Sequence, residues 1–234
     1  MTDPLIGTIP SAGPWGTAPT GAFGTVGILG GTGEQGRGLA YRWATAGLGV
    51  LIGSRDAERA EQVARDIGVG VGGASNVDVA AAAAVVVVAV PWDGHAQLLE
   101  GLVTQLSGKV VVDCVNPLGF DKAGAFVLDV AEGSAAQQAA AILVDSRVVA
   151  AFHHVSAVLL NDRSVDAIDC DVLVLGDDRA ATDLVQELAA RLPGARGVYA
   201  GRLRNAHQVE ALTANLIAVN RRHHAHAGIR LTGV

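Results

Sequence analysis

Gly31, Gly33 and Gly36 stand at the spacing G-x-G-x-x-G inside the run "ILGGTGEQGRG", Ile28 to Gly38. Glycine loses more conformational entropy on folding than any other residue, so such a cluster marks a place that something must approach closely. The run follows a short apolar stretch and leads into a helical pattern. In that setting the spacing predicts a dinucleotide site. Gly31 would permit the tight turn, Gly33 the approach of backbone N–H groups to a pyrophosphate, and Gly36 close packing of helix on strand. The helix N-terminus adds donors and partial positive charge for the phosphates.

A second group of residues bears on which dinucleotide. Binders of NAD end the next strand with a carboxylate for the ribose 2′-OH. Here that strand runs into "IGSRDAER". Gly53 stands where the carboxylate is expected, followed by Ser54, Arg55 and, a helical turn on, Arg59. A carboxylate would repel a 2′-phosphate, whereas guanidinium groups hydrogen-bond it with charge assistance. The pattern predicts NADP rather than NAD. The plainer reading is a solvated helix face, with Arg55 and Arg59 paired to Asp56 or Glu58.

These residues need elements to hold them, and the sequence supplies an alternation of strand and helix signals. "TVGILG", "GVLIGS", "AVVVVAVP", "KVVVDCVNP" and "DVLVLGDD" read as strands, and "RVVAAFHHVSAVLL" begins as one. Helices are predicted over about 33–46, 56–66, "HAQLLEGLVTQL", "SAAQQAAAIL", "RAATDLVQELAARL" and about 206–225. Strands that are continuously apolar are buried on both faces, as in a parallel sheet covered by helices. The fold class is therefore α/β, a Rossmann-type doubly wound parallel sheet with a small C-terminal α/β domain. The expected division is a flexible Pro/Gly/Thr-rich leader over 1–22, an NADP-binding domain over 23–150 and a smaller domain over 151–234. Asn205 with Gln208 resembles a capping box for the last helix, and Gly228 is placed to end it.

Half of the 234 residues are hydrophobic but only 4% are aromatic, so the core must be built from Ala, Val and Leu. Two distant cysteines, Cys114 and Cys170, predict a reduced, cytoplasmic protein without a disulfide framework. The most apolar run, Val79 to Pro91, is too short to span a bilayer, so no membrane partner is expected. A net charge of −6 argues against nucleic acid. Residues 191–234 nevertheless hold seven arginines (191, 196, 202, 204, 221, 222 and 230) against one acid, Glu210. That cationic end suits an anionic small partner, or else merely solvates helix surfaces.

With these motifs in view, the chain from about Gly24 onward resembles the NADPH-dependent reductases of the deazaflavin coenzyme F420, the F420H2:NADP oxidoreductases. The likeness rests on "ILGGTGEQGRGLA", "IGSRDAERA", "VPWDGHA", "VNPL", "VVAAFHHVSA", "LRNAHQVEALTANL" and "AHAGIRLTG". The resemblance implies an enzyme that passes hydride between NADP(H) and F420. It implies Thr32, Gly33, Glu34 and Gln35 for the pyrophosphate, and Ser54, Arg55 and Arg59 for the 2′-phosphate. Val90, Asn116 and Ala157 would line the nicotinamide ribose and ring, and Ala227 would close the same cleft. His153 and Val155 would position the deazaflavin ring. A homodimer is the family expectation. The reaction needs two flat rings held face to face in a dry site and no obligatory general acid, so no catalytic acid, base or metal is assigned.

Other residues draw plainer readings. His154 faces away from His153 along the chain and reads as structural. His223 and His226 lie at helical spacing without a third metal ligand, and the helix dipole accounts for cations there. Trp43 and Trp92 read as packing residues. Asp113, on a buried strand, reads as hydrogen-bonded to neighbouring loops. Two rival functions remain: an NADP-dependent imine or carbonyl reductase, which needs a proton donor in the crevice, and a non-catalytic NADP-sensing module.

Overall fold

A computed structural model of the protein describes residues 23–234. The leader expected over 1–22 lies outside the described residues. The chain runs β1 (Thr25–Leu29), α1 (Glu34–Thr45), β2 (Gly49–Ser54), α2 (Ala57–Ile67), β3 (Gly72–Ser75), α3 (Asn76–Ala82), β4 (Val85–Val88), α4 (His95–Glu100), α5 (Val103–Leu106) and β5 (Val110–Asp113). It continues with β6 (Leu118–Phe120), β7 (Ala125–Val127), α6 (Ala135–Ile142), β8 (Arg147–Ala150), α7 (Ala157–Asn161), β9 (Asp171–Gly176), α8 (Arg179–Ala189), β10 (Arg196–Gly201) and α9 (Ala206–His223).

Eight strands form one sheet in the order β10-β9-β8-β5-β4-β1-β2-β3. Pairing is parallel from β3 through β8, β9 is antiparallel to β8, and β10 is parallel to β9. The order reverses between β1 and β4, which opens a crevice at the carboxyl edge; ligands of open α/β sheets bind at such a switch point. β9 and β10 extend the same sheet.

The valine runs explain the layering. Val85 and Val87 of β4 join one apolar cluster with residues of α1, α2 and α8, while Val86 and Val88 join the other with residues of α3, α4 and α6. All four are buried, and each contributes roughly 1.5–3 kcal/mol on burial. Trp43 is fully buried as expected; its Nε1 donates to Leu188 O at 3.2 Å and its ring meets Phe152 edge-on at 5.4 Å.

Several elements differ from the reading of the sequence. The Gly-rich edge strand β3, the β6–β7 hairpin and β10 carry no legible apolar pattern. "HAQLLEGLVTQL" is broken at Gly101 into α4 and α5. Asn205 makes no side-chain cap bond to α9. That helix ends at His223, where His224 takes a left-handed conformation, φ 49°. Gly228 instead lets the tail lie against Cys170, where an added Cβ would come within 3.0 Å of the Cys170 Cβ.

Candidate functional site

The glycine loop bridges β1 and α1 at the switch point. The left-handed residue is Gly30, at φ 70°, not Gly31. A Cβ on Gly30 would lie 2.5 Å from Val90 Cγ1, so the turn is pressed against the loop that follows β4. Gly36 backs directly onto Gly31, where a Cβ would meet Gly31 Cα at 2.6 Å; helix and strand come together there as the motif predicts. Gly33 faces open space, with no protein atom nearer to its notional Cβ than Gly30 O at 3.5 Å. Thr32 is half-buried, Gly33 and Glu34 are exposed and Gln35 is half-buried, so the first turn of α1 is open to a ligand.

The smallness of Gly53 has a second cause. Its notional Cβ would fall 2.5 Å from Asn76 Oδ1, and that oxygen accepts from Gly30 N at 3.2 Å. Asn76 therefore occupies the space and steadies the glycine turn, a role the sequence did not signal. Ser54 Oγ accepts from Asp56 N, and Asp56 caps α2 by accepting from Arg59 N. Asp56 is thus committed to the backbone. The side chains of Arg55 and Arg59 are exposed, and neither forms an ion pair among the described residues.

A cleft of about 430 Å3 continues from the glycine loop along the carboxyl edge. Gln35, Val90, Asn116 and His153 all line it, together with Trp92, Phe120, Thr213 and Ile217. Val155, Ala157 and Ala227 are not part of this lining. Val155 is buried in the core cluster beneath α7, Ala157 opens α7, and Ala227 donates its N–H to Asn220 Oδ1 at 2.6 Å. Trp92, expected as packing, instead forms part of the cleft wall. Of the sequence-predicted residues, four meet in one cavity, and those expected to hold the phosphates lie at its β1–β2 end.

His153 is held by its backbone rather than its ring. Its carbonyl accepts from Asn116 Nδ2 at 2.9 Å and from Thr213 Oγ1 at 3.1 Å. The preceding Phe152 has φ 65°, rare for a bulky residue and worth roughly 1–3 kcal/mol of strain. Its buried ring against Trp43 and a bond from Gln35 Nε2 to its carbonyl hold that conformation. Both ring nitrogens of His153 and Asn116 Oδ1 are buried without a hydrogen-bond partner. Burial, only partly opposed by the charge of Asp113, pushes the His153 pKa down to about 4, so the ring is neutral. His154 is also lowered to about 4 by burial and by His153, and its Nε2 accepts from Leu173 N, a structural role as read.

Below the cleft lies a polar cluster. Asp113 Oδ1 accepts from Val115 N and Oδ2 from His95 Nε2, so this carboxylate does bond to neighbouring loops. Burial alone would lower the His95 pKa, but Asp113 outweighs it and the pKa is raised. Glu210, on α9, accepts from Ala135 N and Ala136 N at the start of α6. Burial pushes Glu210 up to about 7 against the pull of those two donors.

Two arrangements were illegible in the sequence. Arg42, 6% exposed, donates to the carbonyls of Leu159, Leu160, Asp162 and Val165 and so fastens α7 to α1. At the C-terminal end, Asp171 binds both Arg196 and Arg230 and accepts from Leu231 N, and Arg230 also binds Asp169. Those contacts hold the Asp171 carboxyl far below the usual range, Arg196 first, then the Leu231 N–H and Arg230. Arg202 pairs with Asp177. Three of the seven arginines of the cationic end are thus committed to carboxylates; Arg191, Arg204, Arg221 and Arg222 form no ion pair among the described residues. Among these residues no helix is long and apolar enough to cross a membrane.

Comparison with known proteins bears on the same geometry. Residues 25–117 match the family model described as NADP oxidoreductase, coenzyme F420-dependent. The chain is 41% identical over 220 residues to the F420-dependent NADP reductase of Methanothermobacter thermautotrophicus, covering 89% of this chain and 95% of that protein. Among solved structures it is similar to a candidate F420-dependent NADP-reductase from Arthrobacter sp. FB24. That match has a TM-score of 0.76 and 27% identity and covers 88% of this chain and 99% of the other. An imine reductase from Bacillus cereus shares the fold alone, with a TM-score of 0.61 at 19% identity over 86% of this chain and 63% of the other.

Proposed function

The chain belongs to the F420-dependent NADP reductase family, and from that premise we infer how its cleft performs the reaction. The protein is an oxidoreductase that transfers hydride between NADP(H) and coenzyme F420. The observation that carries the site assignment is the cavity at the switch point, continuous with an open glycine loop and walled by apolar and aromatic side chains. The residues fit the coenzymes. Gly33 leaves room at the backbone for a pyrophosphate, and Asn116 Oδ1 and the His153 nitrogens wait unpartnered for a polar ring edge.

NADP would be held with its pyrophosphate on Gly31, Thr32, Gly33, Glu34, Gln35 and Gly36 and its 2′-phosphate against Ser54, Arg55 and Arg59. Its nicotinamide end would rest by Val90 and Asn116, which line the cleft. The segment 151–234 completes the F420 site through His153, Thr213 and Ile217, with Val155 and Ala157 shaping the loop behind His153 and Ala227 the tail. When both coenzymes are bound, C4 of the nicotinamide and C5 of the deazaflavin exchange the hydride. The chain's part is to orient the two rings at near-attack distance, exclude water and favour developing charge by fixed dipoles. Neutral His153 can hydrogen-bond a ring edge without adding charge. Among the described residues the cleft lining includes neither Lys nor Tyr, and its one acid there, Asp93, is exposed, which disfavours imine reduction.

A homodimer is supported by α9, whose Leu216 and Ile217 are only half-buried and whose Val219 is 41% exposed, next to exposed Phe126 and Val127 of β7. Two free, buried cysteines suit the reducing cytoplasm. The test is to mix the protein with NADPH and F420 and follow deazaflavin absorbance. Turnover with F420 and none with simple cyclic imines is expected. NADP binding without any turnover would instead favour a sensor.

A further inference from the structure

Buried polar side chains lie behind the cleft wall, where direct contact with a coenzyme does not account for them. His95 and Asp113 are both 0% exposed. His95 Nε2 meets Asp113 Oδ2 at 2.6 Å and its Nδ1 meets Gln138 Oε1 at 3.0 Å. Gln138 Nε2 in turn donates to Glu132, which orients the amide oxygen toward the ring. Asp113 Oδ1 takes the Val115 N–H at 3.0 Å. On its other side His95 carries the Trp92 ring, stacked at 5.5 Å between centroids and 29° between planes. Trp92 and Val115 both line the cleft, as do their neighbours Val90, Cys114 and Asn116.

We propose that His95, seated on Asp113, is a positioning residue: it braces the loop after β4 against the loop after β5 and backs the Trp92 indole, so the wall on which the coenzyme rings lie keeps one shape. The proposal rests on the coenzyme reading above. Its physical basis is that a buried polar pair, charged or not, adds little stability over an apolar pair of equal size. What the pair adds is direction. Each nitrogen of His95 and each oxygen of Asp113 has an assigned partner, and the four partners belong to α4, β5, the loop after it, and α6. The two loops so joined are those that carry Val90 and Asn116. Hydride transfer is sensitive to this, since about 1 Å of misplacement can cost on the order of a hundredfold in rate.

The test uses two variants of the whole protein. His95→Gln keeps an amide donor for Asp113 but removes the flat ring, and Trp92→Leu replaces a half-buried ring at the edge of the core by a smaller apolar side chain. Both are expected to lower kcat with F420 about tenfold while the equilibrium Kd for NADPH, read from its own fluorescence, stays within about twofold. Time-resolved emission anisotropy gives a readout without coenzyme: Trp92, isolated as the difference from matched Trp92→Phe proteins, should depolarise faster in the His95→Gln variant. The brace is overturned by a kcat within about twofold of wild type in both variants, by unchanged Trp92 depolarisation, or by an NADPH Kd that weakens in step with kcat. Wild-type protein inactive with F420 would defeat the functional reading instead, and the depolarisation and NADPH binding would still decide the brace.

Discussion

At the residue scale, specificity and pH response rest on a few side chains. Arg55 and Arg59 are exposed, free of carboxylates among the described residues, and set on either side of a cap that occupies Asp56. A hydrogen bond to a charged group contributes roughly 1.5–3 kcal/mol, so Arg55→Ala is expected to raise the NADPH KM about ten- to a hundredfold. The kcat should change far less, and steady-state kinetics with NADH, which lacks the 2′-phosphate, should be nearly indifferent. An equal loss with both would count against the assignment. His153 and His154 have folded pKa values of about 4, below the ordinary 6.5. The unfolded chain therefore binds more protons between those limits, and stability falls as pH drops from about 6.5 toward 4. His154→Gln retains an acceptor for Leu173 N and removes one of the two titrating groups. Its urea midpoint should fall less than that of the wild type between pH 7 and pH 5.

Elements differ in how far the sequence disclosed them. The valine strands β4 and β5 and the amphipathic α8 were legible because burial on both faces, or on one helical stripe, leaves a periodic apolar signature. β3, whose sequence is GGAS, is an edge strand held by pairing to β2 and shows no such signature. The turn between β1 and α1 was legible for the same local reason, because glycine spacing records backbone needs. The cleft's far wall was not, because Thr213 and Ile217 reach it only through the docking of α9, 60 residues after the His153 carbonyl that Thr213 binds. Arg42 shows the same limit. On a helix it reads as solvated, yet four carbonyls around the end of α7 depend on it. Arg42→Met is expected to cost about 3 kcal/mol or more, lowering Tm by roughly 6–12 °C in thermal unfolding. A loss of less than about 1 kcal/mol would show that water replaces the guanidinium at those carbonyls.

On the scale of the whole molecule, two apolar clusters on either side of the sheet form the core, and α9 and the β6–β7 hairpin carry part of the exposed apolar surface. Val219, Phe126 and Val127 stay exposed there. If two copies associate through that strip, Val219→Asp should convert a dimer to a monomer in light scattering, with NADPH affinity retained because the glycine loop lies elsewhere. An unchanged mass would place the dimer contact on another face.

One contact has a consequence for how the protein is made. Glu210 seats the first turn of α6 from a position 75 residues downstream in the sequence. During synthesis the ribosome therefore releases α6 long before the carboxylate that caps it leaves the exit tunnel. The nascent chain can assemble β1 to β5 early, but the cleft gains its Thr213 and Ile217 wall only after α9 has emerged.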